Sequence, residues 1–306
     1  MILKDILEQY KDRRMRAQML AEFNYQKALD DKEFFELEKK YRALNIEYAK
    51  NSTQELLAKL TEVQKTREEL LKKLGLIITP QYQCKNCQDT GYKNGKLCLC
   101  VKQEVKKHIS DICGIPKNIE CDFEKCDLSV FKDQDQRKVM SDTYDKMKQY
   151  CSKFPNTAIN LMVFSGATGT GKTYLISAIA TELSMAGFDV FFTTAFGLNN
   201  IFLKSHTADI EQKSQFIEPL LKCDLLIIDD LGTEPVYRNV SQEYLYTIIN
   251  ERKINKQHTL ISTNLTQDEI LSRYGERIFS RLNNKADSLF LSLEGKDIRL
   301  NKKNNQ

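Results

Sequence analysis

The sequence contains no apolar run that approaches the length of a membrane span, and its first residues do not form the charged and apolar pattern of a signal peptide. A strong excess of charge is also missing. The formal net charge of +4 permits contact with nucleic acid but does not argue for it, because so small an excess can be spread over the whole surface. These absences exclude a membrane-spanning protein and predict a cytoplasmic one with no membrane partner.

Internal repeats and long low-complexity tracts are absent as well. The composition, with 41% hydrophobic and 29% charged residues, is typical of a globular protein that is rich in helices. A chain of 306 residues is long enough for one large and one small domain.

Disulfides are not expected among the nine cysteines, since the cytoplasm keeps thiols reduced. Four of the nine lie in one short stretch, as Cys84-x-x-Cys87 and, ten residues later, Cys98-x-Cys100. Tetrahedral Zn²⁺ accepts four thiolates, and a short loop with almost no apolar core needs such a staple to fold. We therefore predict a closed, structural zinc knuckle over residues 79–104. Four thiols without a metal are the alternative.

Proline is absent from the first 75 residues or so, and apolar residues recur there at helical spacing. One stripe consists of Phe34, Leu37, Tyr41, Leu44 and Tyr48. A second helix is predicted to begin at a capping box, Ser52-Thr53-Gln54-Glu55, and to end at Gly75. The stripes either pack on each other as a hairpin or dock on another protein's helices, and both can hold. Residues 1–78 are therefore predicted to be a helical, partner-binding region.

Residues 105–130 are predicted to be a linker, and from residue 131 to 306 helix and strand patterns alternate. Apolar strands are predicted at 161–164, 190–193, 225–228 and 259–262, and helices near 135–153, from 172 onward and near 241–256. Continuous apolar strands between helices are typical of a parallel sheet that is covered on both faces. The predicted fold class is therefore α/β, a parallel sheet with helices on both faces.

The segment after the first of these strands fits the Walker A pattern in every required position. It reads Gly166-Ala167-Thr168-Gly169-Thr170-Gly171-Lys172-Thr173. The glycines let the backbone curl so that its N–H groups point at phosphates, and the helix N-terminus adds a positive dipole end. The ammonium of Lys172 suits the outer phosphates, while the Thr173 hydroxyl suits magnesium. This segment predicts that the protein binds ATP and Mg²⁺.

Polar side chains follow two other predicted strands. Asp229 and Asp230 end the strand at 225–228, at the sheet edge where the phosphate loop also lies. Asp229 is predicted to hold the magnesium, and Asp230 to polarise the attacking water as a general base. Asn264 follows the strand at 259–262. Its amide either orients water near the terminal phosphate or caps the next helix.

Taken together, these residues resemble the motifs of AAA+ ATPases, and within them the DnaC/DnaI-type bacterial helicase loaders and the related IstB transposition helpers. The supporting segments are 166–173, 225–232 (LLIIDDLG), 261–265 (ISTNL), Tyr274-Gly275-Glu276-Arg277, Ser280-Arg281-Leu282 and 295–299 (GKDIR). The resemblance implies that Asn264 is the sensor-1 residue. It also implies that Arg281 is an arginine finger for a neighbouring subunit's ATP and that Arg299 is the sensor-2 arginine. A surface ion pair is the alternative for both arginines.

The sequence departs from the family pattern at two points. Many AAA+ proteins carry glutamate where this chain has Asp230, which suggests slow turnover. The chain also ends soon after Arg299, so no full helical lid is expected, and assembly with a neighbour becomes more important for closing the site.

The function that the resemblance implies is that of a helicase loader in DNA replication. Such a protein binds a hexameric replicative helicase through its N-terminal region, self-assembles through the ATP site and binds single-stranded DNA. An IstB-type transposition helper and a non-hydrolysing ATP-binding adaptor are the alternatives. For DNA contact, the segment 195–221 offers Phe196, Phe202, Lys204 and His206, and the basic run 102–108 is a second candidate. The alternative for Phe202 is packing against the sheet.

Overall fold

The computed structural model of the protein describes residues 2–113, 122–124, 126–237 and 239–298. The chain divides into two compact units. The sheet unit comprises Met1–Ile6 and Leu99–Gln306, and the helical unit comprises Leu7–Cys98. Across the described ranges, none of the helices combines the length and the apolar character that crossing a membrane requires.

The described part of the helical unit contains three helices and a two-stranded hairpin. Helix α1 spans Ile2–Leu29, and its residues from Leu7 onward belong to this unit. Helices α2 and α3 span Lys32–Lys50 and Gln54–Leu74. The antiparallel strands β1, Tyr92–Lys93, and β2, Lys96–Leu97, form the hairpin.

The N-terminus of α3 corrects a prediction from the sequence. The N-cap is Thr53, whose hydroxyl accepts the N–H of Leu56, so the predicted capping box that starts at Ser52 is wrong. Ser52 instead donates its hydroxyl to the carbonyl of Tyr48, in the helix before. A serine can back-bond to the preceding turn, and that bond takes Ser52 away from the cap. The helix ends at Gly75 as predicted, where φ is 68°.

Helices α2 and α3 pack against each other, as the hairpin alternative predicted, and the apolar core around them is small. Its buried members are Ala28, Phe34, Leu70 and Leu71. Next to this core lies Glu38, which is only 6% exposed. Its carboxylate accepts hydrogen bonds from Arg67, Arg42 and Tyr25. A buried charge with such partners is satisfied. These polar contacts therefore stabilise the packing of α2 on α3 in addition to the small apolar core.

The sheet unit alternates helices and strands. In chain order they are α4 (Leu99–Cys113), a 3₁₀ turn (Leu128–Val130), α5 (Gln134–Lys153), β3 (Leu161–Ser165), α6 (Lys172–Ala186), β4 (Val190–Thr194), α7 (Ala195–Thr207), α8 (Ile210–Lys222), β5 (Leu225–Leu231), α9 (Ser241–Ile254), β6 (His258–Thr263), α10 (Gln267–Leu282) and β7 (Ser288–Ser292). The predicted strands and helices are all present. Strand β7 is an addition that the sequence analysis missed.

The five strands β3 to β7 form one parallel sheet in the order β4-β5-β6-β3-β7. The predicted fold class is therefore confirmed. Burial explains the continuously apolar sequence of β5. None of its residues Leu225, Leu226, Ile227 and Ile228 is exposed to solvent. The order also makes β3, β5 and β6 neighbours, so their carboxyl ends meet at one edge of the sheet.

Helix α4 packs on α6 and β4 through Val101, Val105 and Ile109, which are fully buried at four-residue spacing. The residues predicted as a linker, 105–130, thus include the second half of this helix. Residues 114–121 of that range lie outside the described part of the chain. The domain boundaries proposed from the sequence stay predictions.

Candidate nucleotide-binding site

The loop between β3 and α6 has the backbone of an anion cradle. Gly169 takes φ 78°, and Gly171 takes φ 98° at the N-cap of α6. Only glycine adopts such angles readily. Because Gly171 has no side chain to cap the helix, the first N–H groups of α6 keep their capacity to bind an anion. The loop therefore fits the phosphates of a nucleotide.

Lys172, the first residue of α6, is 4% exposed and lies across this loop. Its ammonium donates hydrogen bonds to the carbonyls of Gly166 (2.7 Å) and Ala167 (2.8 Å). It also donates to the Asn264 side-chain oxygen at 2.7 Å. The structure thus brings together two predicted site residues that lie 92 positions apart in the chain.

The Asn264 contact also decides between two alternatives. Helix α10 is capped by Thr266, which forms a capping box with Glu269. The alternative that Asn264 caps this helix is therefore wrong. Its amide remains exposed at the sheet edge with its oxygen on the Lys172 ammonium.

Asp229 has the surroundings of a metal ligand. It is 2% exposed, and its Oδ1 accepts the Thr173 hydroxyl at 3.3 Å and the Ser262 hydroxyl at a short distance. The pKa of Asp229 is raised to about 6, first by burial and then by the charge of neighbouring Asp230, although the hydrogen bonds from Ser262 and Thr173 lower it. A buried carboxylate beside a hydroxyl is an all-oxygen donor set of the kind that Mg²⁺ takes. These residues fit the predicted ion.

Asp230 lies one residue beyond, at an irregularity of the β5–β6 pairing between Ile228 and Leu231. Its φ is 57°, a left-handed conformation that aspartate tolerates better than most residues. The Ser262 hydroxyl accepts its N–H at 2.9 Å. Ser262 therefore contacts both acids, as donor to Asp229 and acceptor from Asp230.

Sequence reasoning missed Ser262, although a signal was present. It follows Leu260 and Ile261 directly, at the level where the neighbouring strand β5 carries its acids. It is fully buried, and a buried hydroxyl needs partners. The register of β5 against β6 was needed to show that those partners are the two aspartates.

The loop after Asp230 is fixed by residues of three helices. Glu234 is 5% exposed and accepts the Gly232 N–H at 2.8 Å together with the Tyr274 hydroxyl of α10. Asn199 of α7 donates to the Pro235 carbonyl at 2.8 Å. The Asn199 side-chain oxygen in turn accepts the hydroxyl of Ser241, at the start of α9. The loop that follows the second acid is therefore tied directly to α7.

Arg281 is not joined to the phosphate loop of its own chain. Its Nε donates to the Asn250 side chain on α9 at 2.9 Å, and its guanidinium lies 5.7 Å from the Tyr246 ring centroid. The surface ion pair that was its alternative is not formed with any described residue. Its role as an arginine finger stays a prediction.

Arg299 lies outside the described residues, so nothing in the structure bears on its predicted sensor-2 role. The segment before it runs along the phosphate loop. The Leu293 N–H bonds to the Ser165 carbonyl at 2.7 Å, and the Ile298 N–H to the Gly169 carbonyl at 3.0 Å. A side chain at Gly169 would overlap the carboxylate of Asp297.

The four predicted zinc ligands come together. The Sγ atoms of Cys84, Cys87, Cys98 and Cys100 all lie within 4.8 Å of one another, and none forms a disulfide. The Cys84 and Cys98 sulfurs are 3.9 Å apart. Tetrahedral Zn²⁺ with bonds of about 2.3 Å places its sulfurs about 3.8 Å apart, so this spacing fits the ion. Asp89, which is 1% exposed, fixes the start of the knuckle by accepting the Gln83 and Cys84 N–H groups.

Of the residues considered for DNA contact, Phe202 is buried (2% exposed) and stacks on Tyr244 with the centroids 5.4 Å apart. The prediction that Phe202 stacks on a DNA base is therefore wrong. Its burial in one cluster with strand residues confirms the alternative, packing against the sheet. Phe196 is 58% exposed, and Lys204 is exposed two turns further along the same face of α7. His206 is exposed near the Tyr244 ring. The basic run 102–108 forms part of α4, where Lys106 pairs with Asp122.

Comparison with known proteins agrees with the motifs. The family described as IstB-like ATP binding protein matches residues 105–305. Replicative helicase loader DnaC of Escherichia coli (strain K12) is 31% identical over 139 residues, which are 45% of this chain and 55% of that protein. DnaC of Buchnera aphidicola subsp. Acyrthosiphon pisum (strain APS) is 33% identical over 175 residues, 56% of this chain and 67% of that protein.

The chain thus spans about half the length of the Escherichia coli relative. Among solved structures, a crystal structure of the DnaC helicase loader matches with a TM-score of 0.46 and 22% identity, over 57% of this chain and 97% of that one. The family match confirms the resemblance that the sequence motifs indicated.

Proposed function

The chain belongs to the family of IstB-like ATP binding proteins, and on that premise we propose that it is a helicase loader of DNA replication. In this proposal it binds a replicative helicase, delivers it to single-stranded DNA in the cytoplasm, and uses ATP binding and hydrolysis as the switch. The observation that carries the proposal is the meeting of Lys172, Thr173, Asp229 and Asn264 at one edge of the sheet. These are the kinds of group that bind and position a nucleotide and its metal ion for hydrolysis.

Each residue has a defined task in this proposal. The N–H groups of the loop and the Lys172 ammonium bind the triphosphate, and Thr173 with Asp229 would hold Mg²⁺. Bound there, the ion supplies positive charge against the phosphate oxygens. Asp230 takes the proton of the attacking water, and Asn264 orients that water. The backbone of Asp230 is held by Ser262, while its side chain is shorter than glutamate, which supports slow turnover without a partner.

The exposed face of α7 is the proposed contact for single-stranded DNA. Phe196 and Lys204 offer a stacking surface and a positive charge on that face. Because Asn199 of the same helix binds the loop that follows Asp230, DNA on α7 can bias the position of the general base. This link supports DNA-stimulated hydrolysis.

The helicase is proposed to bind the helical unit. Met15, Met19 and Phe23 lie at four-residue spacing on α1 and are at least half exposed. An exposed apolar stripe of this kind fits an apolar groove of a partner. Self-assembly is proposed because Arg281 is held away from its own phosphate loop, where a neighbour's nucleotide can meet it.

The test is phosphate release by wild type, Lys172→Ala and Asp230→Asn, each with and without single-stranded DNA and the cognate helicase. We expect hydrolysis that DNA or helicase stimulates and that both variants lose. Lys222→Ala, which alters a lysine exposed on α8, is the matched control. Release that never exceeds the Lys172→Ala background would identify a non-hydrolysing adaptor. Co-purification with a transposase in place of a helicase would identify a transposition helper.

A further inference from the structure

Two arginines of α10 converge on one aromatic ring of α9. The Arg277 guanidinium carbon lies 4.1 Å from the centroid of Tyr246, and that of Arg281 lies 5.7 Å from it. Arg281 also points an N–H at the Tyr246 hydroxyl at 3.5 Å, which is too long for a strong hydrogen bond. The ring face is therefore the main feature that the two guanidiniums share.

This arrangement concentrates positive charge that the described residues do not neutralise. Like charges four residues apart on a helix repel each other. In the described ranges, the guanidinium groups of Arg277 and Arg281 contact Tyr246 and Asn250, and neither of these is a carboxylate. The nearby guanidiniums, Arg277 first and then Arg281, lower the pKa of the Tyr246 hydroxyl. Two such guanidiniums side by side form a receptor for an anion with several oxygens.

The fold fixes this arrangement at three points. Gly275 interrupts α10 with φ 82° and ψ 168°, angles that only glycine adopts without strain, so the turn that carries both arginines follows a break. Asn250, one helical turn after Tyr246, accepts the Arg281 Nε. Lys253, on the same helix α9, donates to the Arg281 carbonyl at 3.2 Å and pairs with Asp287 at 2.7 Å.

We propose that Tyr246 is a positioning residue whose ring holds Arg277 and Arg281 as a single clamp for the polyphosphate of a nucleotide bound to a second copy of this chain. This inference rests on the proposed function, in which Arg281 acts across a subunit boundary, and it adds Arg277 and Tyr246 to that site. The second copy is the source of the anion because both arginines are held by α9 and neither bonds to Lys172, Thr173 or Asp229 of its own chain.

The test is complementation between two inactive proteins. The acceptor is Arg281→Ala, which keeps its own phosphate loop and lacks the finger. The donor is Lys172→Ala, which lacks a working loop and keeps the clamp. Mixing them with ATP and single-stranded DNA restores hydrolysis at acceptor loops that face donor clamps. The same mixture is then made with donors that also carry Tyr246→Ala, Tyr246→Phe or Arg277→Ala, and with Arg16→Ala as the exposed control.

We expect the Tyr246→Ala and Arg277→Ala donors to lower the restored kcat about tenfold, while the KM for ATP, set by the unchanged acceptor loop, stays the same. The Tyr246→Phe donor keeps the ring and stays within about twofold of the parent donor, because the ring face carries the effect. Thermal unfolding of each donor checks that it is folded. A folded Tyr246→Ala donor that restores full activity overturns the inference and leaves the proposed function standing.

Two further outcomes separate this inference from the proposal on which it rests. If the parent donor and acceptor never restore activity, although wild type hydrolyses ATP, the arginine finger itself is wrong and the clamp falls with it. Binding of fluorescent single-stranded DNA is measured for the same donors without nucleotide. A tenfold loss of DNA affinity in Tyr246→Ala and Arg277→Ala, with complementation unchanged, would assign the clamp to nucleic-acid phosphates and overturn the inference.

Discussion

The sheet unit and the helical unit differ in the interactions that stabilise each of them internally. The sheet unit has a large apolar cluster that includes the strand residues Leu226, Ile228 and Ile261, all without exposure. The helical unit has four buried apolar residues in its cluster, and it also buries two acids, Glu38 next to that cluster and Asp89 at the start of the cysteine knuckle. It also carries three of the four clustered thiols, Cys84, Cys87 and Cys98. Apolar packing changes little with pH or chelators, whereas ion pairs depend on pH, and metal–thiolate bonds depend on pH and on chelators.

We therefore expect the sheet unit to be rigid, whereas the order of the helical unit depends on solution conditions. The nucleotide site lies at the edge of a densely packed sheet, so its side chains are positioned before any ligand arrives. The partner-binding region proposed for the helical unit depends on charges and thiolates, so its order responds to the surroundings. Four experiments test this difference between the two units.

The largest effect is expected from removing the thiolates. Cys84→Ser combined with Cys87→Ser should abolish bound zinc, with a loss of up to about 10 kcal/mol of metal-binding free energy. Hydrogen exchange should then rise across residues 79–98 and stay unchanged in β3, β5 and β6. Metal analysis of the purified variant provides the direct measurement. Stoichiometric zinc in this variant would remove the knuckle assignment, and Cys151→Ser is the matched control outside the cluster.

The second largest effect is expected from a substitution that creates a cavity beside the sheet. Ile227→Ala removes a fully buried side chain of β5 and should lower the free energy of unfolding of the sheet unit by about 3 kcal/mol. Denaturant unfolding that is monitored by hydrogen exchange measures this loss of free energy. Protection in α2 and α3 should remain, because their core is separate. An equal loss of protection in both regions would show that they unfold as one, and the contrast would be wrong.

The buried acid of the helical unit is expected to matter less, and to depend on pH. Burial by itself raises the pKa of Glu38, but the hydrogen bonds from Arg67, Tyr25 and Arg42 together outweigh it and leave the pKa below its usual 4.5. A lowered folded-state pKa means that this contribution is present above about pH 4.5 and is lost as the pH falls through the folded value. Glu38→Ala should destabilise α2 and α3 at pH 7 by about 2 kcal/mol, because Arg67 loses its partner.

Glu38→Gln serves as the control for the pH effect. It should lower the protection of α2 and α3 at pH 6 and remove the contribution of Glu38 to the loss of protection on acidification. Exchange measured at pH 6 and pH 3.5 for both proteins provides the comparison. If wild type and Glu38→Gln lose the same amount of protection on acidification, another group is responsible for the acid sensitivity.

The smallest effect is expected at the cap of α3. Thr53→Ala should cost about 1 kcal/mol, since the Leu56 N–H loses its acceptor. Ser52→Ala, one residue earlier, should change the free energy of unfolding by less than half as much, because Ser52 only back-bonds to Tyr48. Thermal unfolding of the two variants side by side measures the difference. The reverse order would restore the capping box predicted from the sequence.

Much of the site could be predicted from the sequence because its parts are contiguous. The phosphate loop is one segment, and Asp229 and Asp230 follow directly on a strand that is apolar throughout. Strand β7 was missed for a physical reason. It lies at the sheet edge and is only half buried, so its sequence from Ser288 to Ser292 lacks the continuous apolar run of a central strand.

The features that can be derived from the sequence alone are those whose signal is local: the parallel α/β alternation, the phosphate loop, the cysteine spacing and the C-terminal glycine of α3. Contacts between residues that are distant in the chain, by contrast, are visible only in the tertiary structure. Lys172 reaches Asn264, Ser262 bonds both aspartates, and two arginines share Tyr246 because strand order and helix packing place them side by side. Periodicity reports which face of an element is buried, but it carries no information about which neighbour covers that face.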